Sequence, residues 1–145
     1  MVTLFHQVDI DAPAARIWEQ LTTRTGLQSW WSGTVSIAGG DSWRFSSSDL
    51  EAPITMRVVE EEPDQQLEWL CVQGAPDWEN TLILWTLKRA KQGFSVCLEH
   101  RDWRLDEASL AAENTRWGER LIKLRANCHH NDELPHNDND LSVWT

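Results

Sequence analysis

The sequence predicts an α+β domain in which a curved antiparallel sheet of seven strands closes around one long C-terminal helix. Three observations predict it. Apolar and polar residues alternate at period two in the first ten residues, and six strand-like segments follow between Thr34 and Trp103, most of them alternating, with Leu82 and Leu84 leaving the facing of the fifth open. Turn signals separate those segments. Trp117, Leu121 and Leu124, at i, i+4 and i+7, then mark the buried stripe of a closing helix. At 145 residues the chain fits one domain, and a domain of this size buries roughly 70% of its unfolded surface.

The elements follow in order. From Val2 to Ile10, Leu4, His6, Val8 and Ile10 face one way, and Thr3, Gln7 and Asp9 the other. Asp11 or Ala12 is expected to cap a short helix with Pro13 in its first turn, where a missing N–H costs nothing. Ile17, Trp18 and Leu21 form its stripe, and Gly26 stops it. Leu27, Trp30 and Trp31 suggest a second short helix. Strands are expected at about 34–38, 42–47, 54–62, 66–73, 80–89 and 94–103. Gly39-Gly40-Asp41 reads as a tight hairpin turn and Pro63-Asp64 as a type I turn. Gln73 to Asp77 is a looser loop, and Lys91-Gln92-Gly93 closes the last hairpin. Polar partners assign the inward faces: Trp43 and Phe45; Met56 and Val58; Leu67, Trp69 and Cys71; Ile83, Trp85 and Leu87; Val96, Leu98 and His100. Asp106 can cap the last helix, which should run to about Asn127. Ala108, Ala111 and Ala112 make its first half slim. The domain is thus expected over residues 1–127, with residues 128–145 as a polar, flexible tail.

Composition narrows the function. Acidic residues outnumber basic ones by 23 to 13, and the net charge of −10 disfavours nucleic acid and anionic membrane as partners. No apolar run approaches the roughly 20 residues of a membrane span. Three cysteines, Cys71, Cys97 and Cys128, form no CxxC pair, and no signal peptide is visible, so a reduced cytoplasmic setting is expected. Ten Trp and no Tyr stand out. Each indole buries about 150–250 Å², so a few of them on a concave sheet dominate the interior. Trp30, Trp78 and Trp103 are expected on loops or at the rim.

The order of elements resembles that of the START-like (SRPBCC) superfamily, and within it the family of homologues of the activator of the heat-shock protein 90 ATPase. Ile10-Asp11-Ala12-Pro13, Ile17-Trp18, Leu21-Thr22, Trp30-Trp31, His100 and the stripe Trp117, Leu121, Leu124 carry the likeness, over about residues 3 to 127. The resemblance implies a helix-grip fold with a cavity between sheet and final helix. It also implies binding of lipids, sterols or similar molecules, with catalysis in a few members, and it makes a chaperone a second candidate partner. The density of Trp and the acidic, His-bearing tail depart from many relatives.

Trp31, Trp43, Phe45, Met56, Trp69, Trp85, Leu98, His100, Trp117 and Leu121 are the expected ligand contacts. A solidly packed core is the competing reading. His6 and His100 are the polar inward residues and the candidate general bases; the alternative is two separate histidines bonded to backbone or water. No GxSxG, HExxH, Walker loop or GxGxxG occurs. With no inward carboxylate mid-strand, the residues favour binding over catalysis. No cofactor is expected. Glu60-Glu61-Glu62 reads as a solvated strand end. Cys128, His129, His130, Asp132 and His136 fit no zinc spacing, so no metal site is expected. Leu141, Val143 and Trp144 form a terminal apolar cluster of open purpose. The leading expectation is a carrier or sensor of a small apolar or amphipathic molecule. A cyclase, dehydratase or hydrolase and a chaperone-associated interaction module are the rivals.

Overall fold

The computed structural model describes residues 2–103 and 107–133. The first strand, β1 (Val2–Ile10), is followed by α1 (Ala14–Thr22) and α2 (Arg24–Trp30). Six strands come next: β2 (Thr34–Gly39), β3 (Ser42–Ser46), β4 (Ile54–Glu62), β5 (Gln66–Gln73), β6 (Leu82–Arg89) and β7 (Phe94–Trp103). The chain then enters α3 (Glu107–Glu133). The strands form one antiparallel sheet in the order β1-β7-β6-β5-β4-β3-β2, as the alternation and the helix-grip likeness predict. Irregularities at Val2/Leu4, Ile37/Gly39, Thr55/Met56 and Val58/Glu60 break the ladders. Such breaks bend and twist strands, which lets the sheet wrap a helix.

Local details differ from the expectations in five places. First, α1 ends at Thr22, and Gly26, expected to stop it, lies within α2, where its N–H donates to the capping Thr23 hydroxyl at 3.0 Å. Pro13 is itself the cap of α1, and its carbonyl accepts from the N–H groups of Arg16 and Ile17. The turn at Pro63 has Asp64 at φ 64°, and a positive φ after Pro belongs to type II rather than type I. Next, α3 continues to Glu133, past the expected stop at Asn127. Cys128 lies seven residues after Leu121 and four after Leu124, so the stripe extends through a thiol, and that thiol is fully buried. The polar composition around it masked this. Finally, Trp30, Trp78 and Trp103 are all buried. Trp30 gives its indole N–H to the Gln20 carbonyl at 2.9 Å. The loop bearing Trp78 folds inward, so that its ring meets His100 and Trp103 at centroid distances of 4.8 and 5.6 Å. The apolar area of an indole overrides the local polarity of a loop. Asp106 and the tail residues Pro135, His136, Leu141, Val143 and Trp144 lie outside the described residues.

One glycine tests how tightly α2 is joined to the sheet. A Cβ at Gly33 would stand 1.8 Å from the Ser46 carbonyl oxygen and 2.7 Å from Ser47 Cβ. Since backbone cannot step aside as a side chain can, Gly33→Ala is expected to cost roughly 1–3 kcal/mol. Urea denaturation would read this as a lower midpoint with an unchanged slope.

Candidate functional site

The concave face of the sheet carries the aromatic residues inward, and they fill it. Trp31 meets Phe45 at 5.0 Å between centroids, Phe45 meets Trp69 at 5.8 Å, Trp69 meets Trp85 at 5.7 Å and Trp85 meets Trp117 at 5.9 Å. Most of these pairs are edge to face, the arrangement that ring quadrupoles favour. The space left between them, lined by residues that include Trp31, Phe45, Met56, Trp69 and Trp117, is about 10 Å³. That is room for about one water molecule. The chamber expected between sheet and final helix is therefore closed in this conformation. The indole N–H groups of Trp69, Trp85 and Trp103 find no acceptor among the described residues. Bulk, rather than polar matching, holds this interior.

An ion pair that the sequence reading missed completes the filling. Arg120 is 4% exposed and Glu113 1%. The Arg120 Nη1 donates to Glu113 Oε2 at 2.6 Å, and Arg116 Nη1 lies 3.5 Å from Glu113 Oε1. The Arg120 guanidinium lies over both the Trp31 and the Trp117 rings, 4.7 and 4.6 Å from their centroids. Burial pushes the Glu113 carboxyl above the usual range, and the two guanidiniums oppose that push. A signal was present. Glu113, Trp117, Arg120 and Leu124 follow one another at helical spacing, so the charges share the buried stripe.

His100 is buried beside this pair. The Trp117 indole can only donate, and it donates to His100 Nδ1 at 3.0 Å. The His100 proton therefore sits on Nε2, which bonds Thr81 Oγ1 at 3.0 Å, and Thr81 in turn donates to the Trp78 carbonyl at 2.6 Å. Burial, with Arg120 nearby, lowers the His100 pKa to about 3. The ring is neutral and both nitrogens are engaged. His6 is half-buried elsewhere: it faces Leu98 in the ladder and its Nε2 contacts Asn114 Oδ1 at 2.9 Å. Each histidine thus has its own partners. Burial likewise pushes the Cys71 thiol up to about 12, which leaves it unreactive at neutral pH.

Open space lies to the side. A groove of about 480 Å³ runs between the end of α1 and strands β2 to β4, with Leu21, Ile37, Trp43 and Val58 along it and Leu67 of β5 also in its lining. The end of β2 and the turn after it contribute Gly39 and Gly40, which add no side chains to block it. The irregularity at Val58/Glu60 brings Val59 into the lining, and Asp41, Glu60 and Glu61 form an acidic margin. Of the ten expected ligand contacts, Trp43 stands in this groove. Trp85, Leu98 and His100 are packed in the core, and Leu121 borders a second groove with His6 between β1 and α3. Among the described residues no group of three or more His, Cys, Asp or Glu could hold a metal. His129 Nε2 instead accepts the Asp11 backbone N–H at 2.9 Å.

A seven-stranded sheet gripping a C-terminal helix, with indoles on its inner face, defines a START-like domain. Residues 11–128 match the family described as Activator of Hsp90 ATPase homolog 1-like protein, and the chain belongs to that family. The Aha1 dimer from Colwellia psychrerythraea, solved in solution, shares 26% identity at a TM-score of 0.79. That match covers 94% of this chain and 100% of the other. A protein from Mesorhizobium loti is similar at 19% identity and TM-score 0.72, with 86% of this chain and 95% of that one covered. One from Bacillus halodurans follows at 17% and 0.70, covering 88% and 97%. These two likenesses concern the fold alone. No curated protein sequence matches the chain.

Proposed function

We propose that the protein binds a small, mostly apolar ligand, as a carrier or sensor, in the groove between α1 and β2 to β4. One observation carries this reading: the groove offers about 480 Å³ against the half-buried indole of Trp43, whereas the space under α3 is filled and the larger groove between β1 and α3, about 840 Å³, has no indole in its lining. Ligand sites commonly occupy about 300–1,000 Å³. Burying roughly 200 Å² of apolar ligand surface contributes about 5 kcal/mol before entropic costs. Binding fits better than catalysis, because His100 is a neutral, doubly bonded ring and the groove's acidic groups stand at its margin. A cytoplasmic setting suits the free thiols of Cys71 and Cys97, and no described helix is long and apolar enough to cross a membrane.

Titration of Trp fluorescence with fatty acids, sterols and flavonoids tests the reading. At least one class should bind saturably, and Trp43→Ala should weaken it by roughly tenfold or more. Silence from the whole panel, or equal affinity in the variant, would contradict it. A second reading, docking on a chaperone, draws on the family description and on the exposed Ile37 and Val59 that line the groove. It predicts that Ile37→Asp abolishes capture of the protein by the Hsp90 chaperone.

A further inference from the structure

The outer face of the sheet, opposite the aromatic core, carries apolar residues that the fold does not use. In β6, Ile83 and Trp85 are buried inward, and that leaves Leu82 and Leu84 on the outside, which is why the facing of this strand is ambiguous in sequence. Leu70, Leu82 and Leu84 are half-buried and stand outside the core cluster, and Phe5 is 68% exposed. Strand register places these residues in two adjacent rows. The first runs Phe5, Glu99, Leu84, Glu68 across β1, β7, β6 and β5. The second lies two residues along each strand and runs Arg101, Leu82, Leu70, Arg57 across β7, β6, β5 and β4. One row is acidic, the other is basic, and both have leucine within them.

Such a face is its own complement. A two-fold axis in the plane of the contact, parallel to the rows and between them, sets the acidic row of one copy over the basic row of another. Glu99 then faces Arg101 of the second copy, Leu84 faces its Leu82, and Glu68 comes within one strand spacing, about 4.8 Å, of its Arg57. Aligned sheets stack in this way at about 10 Å, and a two-fold contact makes every pair twice. Glu99 and Arg101 already meet within one chain at 3.1 Å, but both are partly exposed, so the pair is weakly held and open to a second partner. Charge points to this face as well. The chain carries −10, which opposes contact between copies, whereas the two rows hold two carboxylates and two guanidiniums and are neutral. Five strands, β1 and β4 to β7, over about eight residues each give a footprint of roughly 600 Å² before side-chain relief is counted. Each partner of a standard interface buries about 800 Å² of accessible surface.

We propose that this outer face is a homodimer interface, at which two copies of the chain pack sheet to sheet about a two-fold axis. It stands whether or not the groove binds a ligand. Sedimentation velocity at about 100 μM should show the parent protein as a dimer. Arg101→Glu and Glu99→Arg each set like charges against one another across the axis, and each should weaken dimerisation by roughly tenfold or more. Mixed in equal amounts, the two variants should pair with each other and restore the dimer, because every charged contact between these two positions then joins opposite signs. A variant that had merely misfolded would not be rescued by mixing. A parent that stays monomeric, a dimer indifferent to both substitutions, or variants that remain monomers when mixed would overturn the proposal.

Discussion

Replacing Arg120 with alanine is expected to destabilise the protein by about 3–5 kcal/mol, because Glu113 would be left buried without its closest cation. The loss compares with a total stability of about 5–15 kcal/mol for a domain, so the variant would be marginal. The cause is specific. Arg116 reaches Glu113 only at 3.5 Å from a partly exposed position, and it cannot take the place of Arg120 over the Trp31 and Trp117 rings. Removing both charges tests this directly. The double variant Arg120→Met with Glu113→Leu exchanges the pair for apolar bulk, and such exchanges are often neutral or stabilising. It should recover most of what Arg120→Ala loses. Denaturant titration of the three proteins reads the comparison. A single variant that loses less than about 1 kcal/mol would show the pair to be incidental.

His100→Leu should cost about 2–4 kcal/mol near neutral pH, since the Trp117 N–H would lose its acceptor deep in the core. The pH dependence carries more information. In the folded protein the His100 pKa is about 3, against 6.5 for the free side chain. Below pH 6.5 the unfolded chain therefore takes up a proton that the folded chain refuses. The contribution of His100 is complete above pH 6.5 and is lost as pH falls toward 3, at about 1.4 kcal/mol per pH unit. Glu113 works in the opposite sense: its raised pKa adds stability as pH falls and removes it as pH rises. Both proteins keep Glu113, so its effect cancels in the difference. The gap in stability between parent and variant should shrink by roughly 2–3 kcal/mol between pH 7 and pH 4.5. A gap independent of pH would mean that His100 titrates normally.

The strands were legible because each buries one face. Trp43 and Phe45 against Arg44, or Val96, Leu98 and His100 against Glu99, announce their facing by period two alone. Gly40 and Asp41 between β2 and β3 announce the hairpin for an equally local reason. What local pattern could not show is how completely the two layers meet. Trp31 and Trp117 read as walls of a chamber, and only their distances to Arg120 reveal that a side chain from α3 occupies the gap. Charged residues on a helix are by habit assigned to water, which hid Glu113 and Arg120 although their spacing places them on the stripe of Trp117. Trp43 was read correctly as facing inward. The groove beside it depends on where α1 stops short of β2 to β4, a tertiary fact with no sequence period. Trp78 shows the same limit from the other side: a loop position, buried because its ring completes a cluster with His100 and Trp103.

Whether a guest lies beside α1 or beneath α3 can be read from the indole N–H spectrum of the protein carrying its tightest lipophilic ligand. The Trp43 resonance should move on binding while those of Trp69, Trp85 and Trp117 hold their positions. Movement of the three buried resonances with Trp43 unmoved would place the guest in the interior, and the side groove would lose its role.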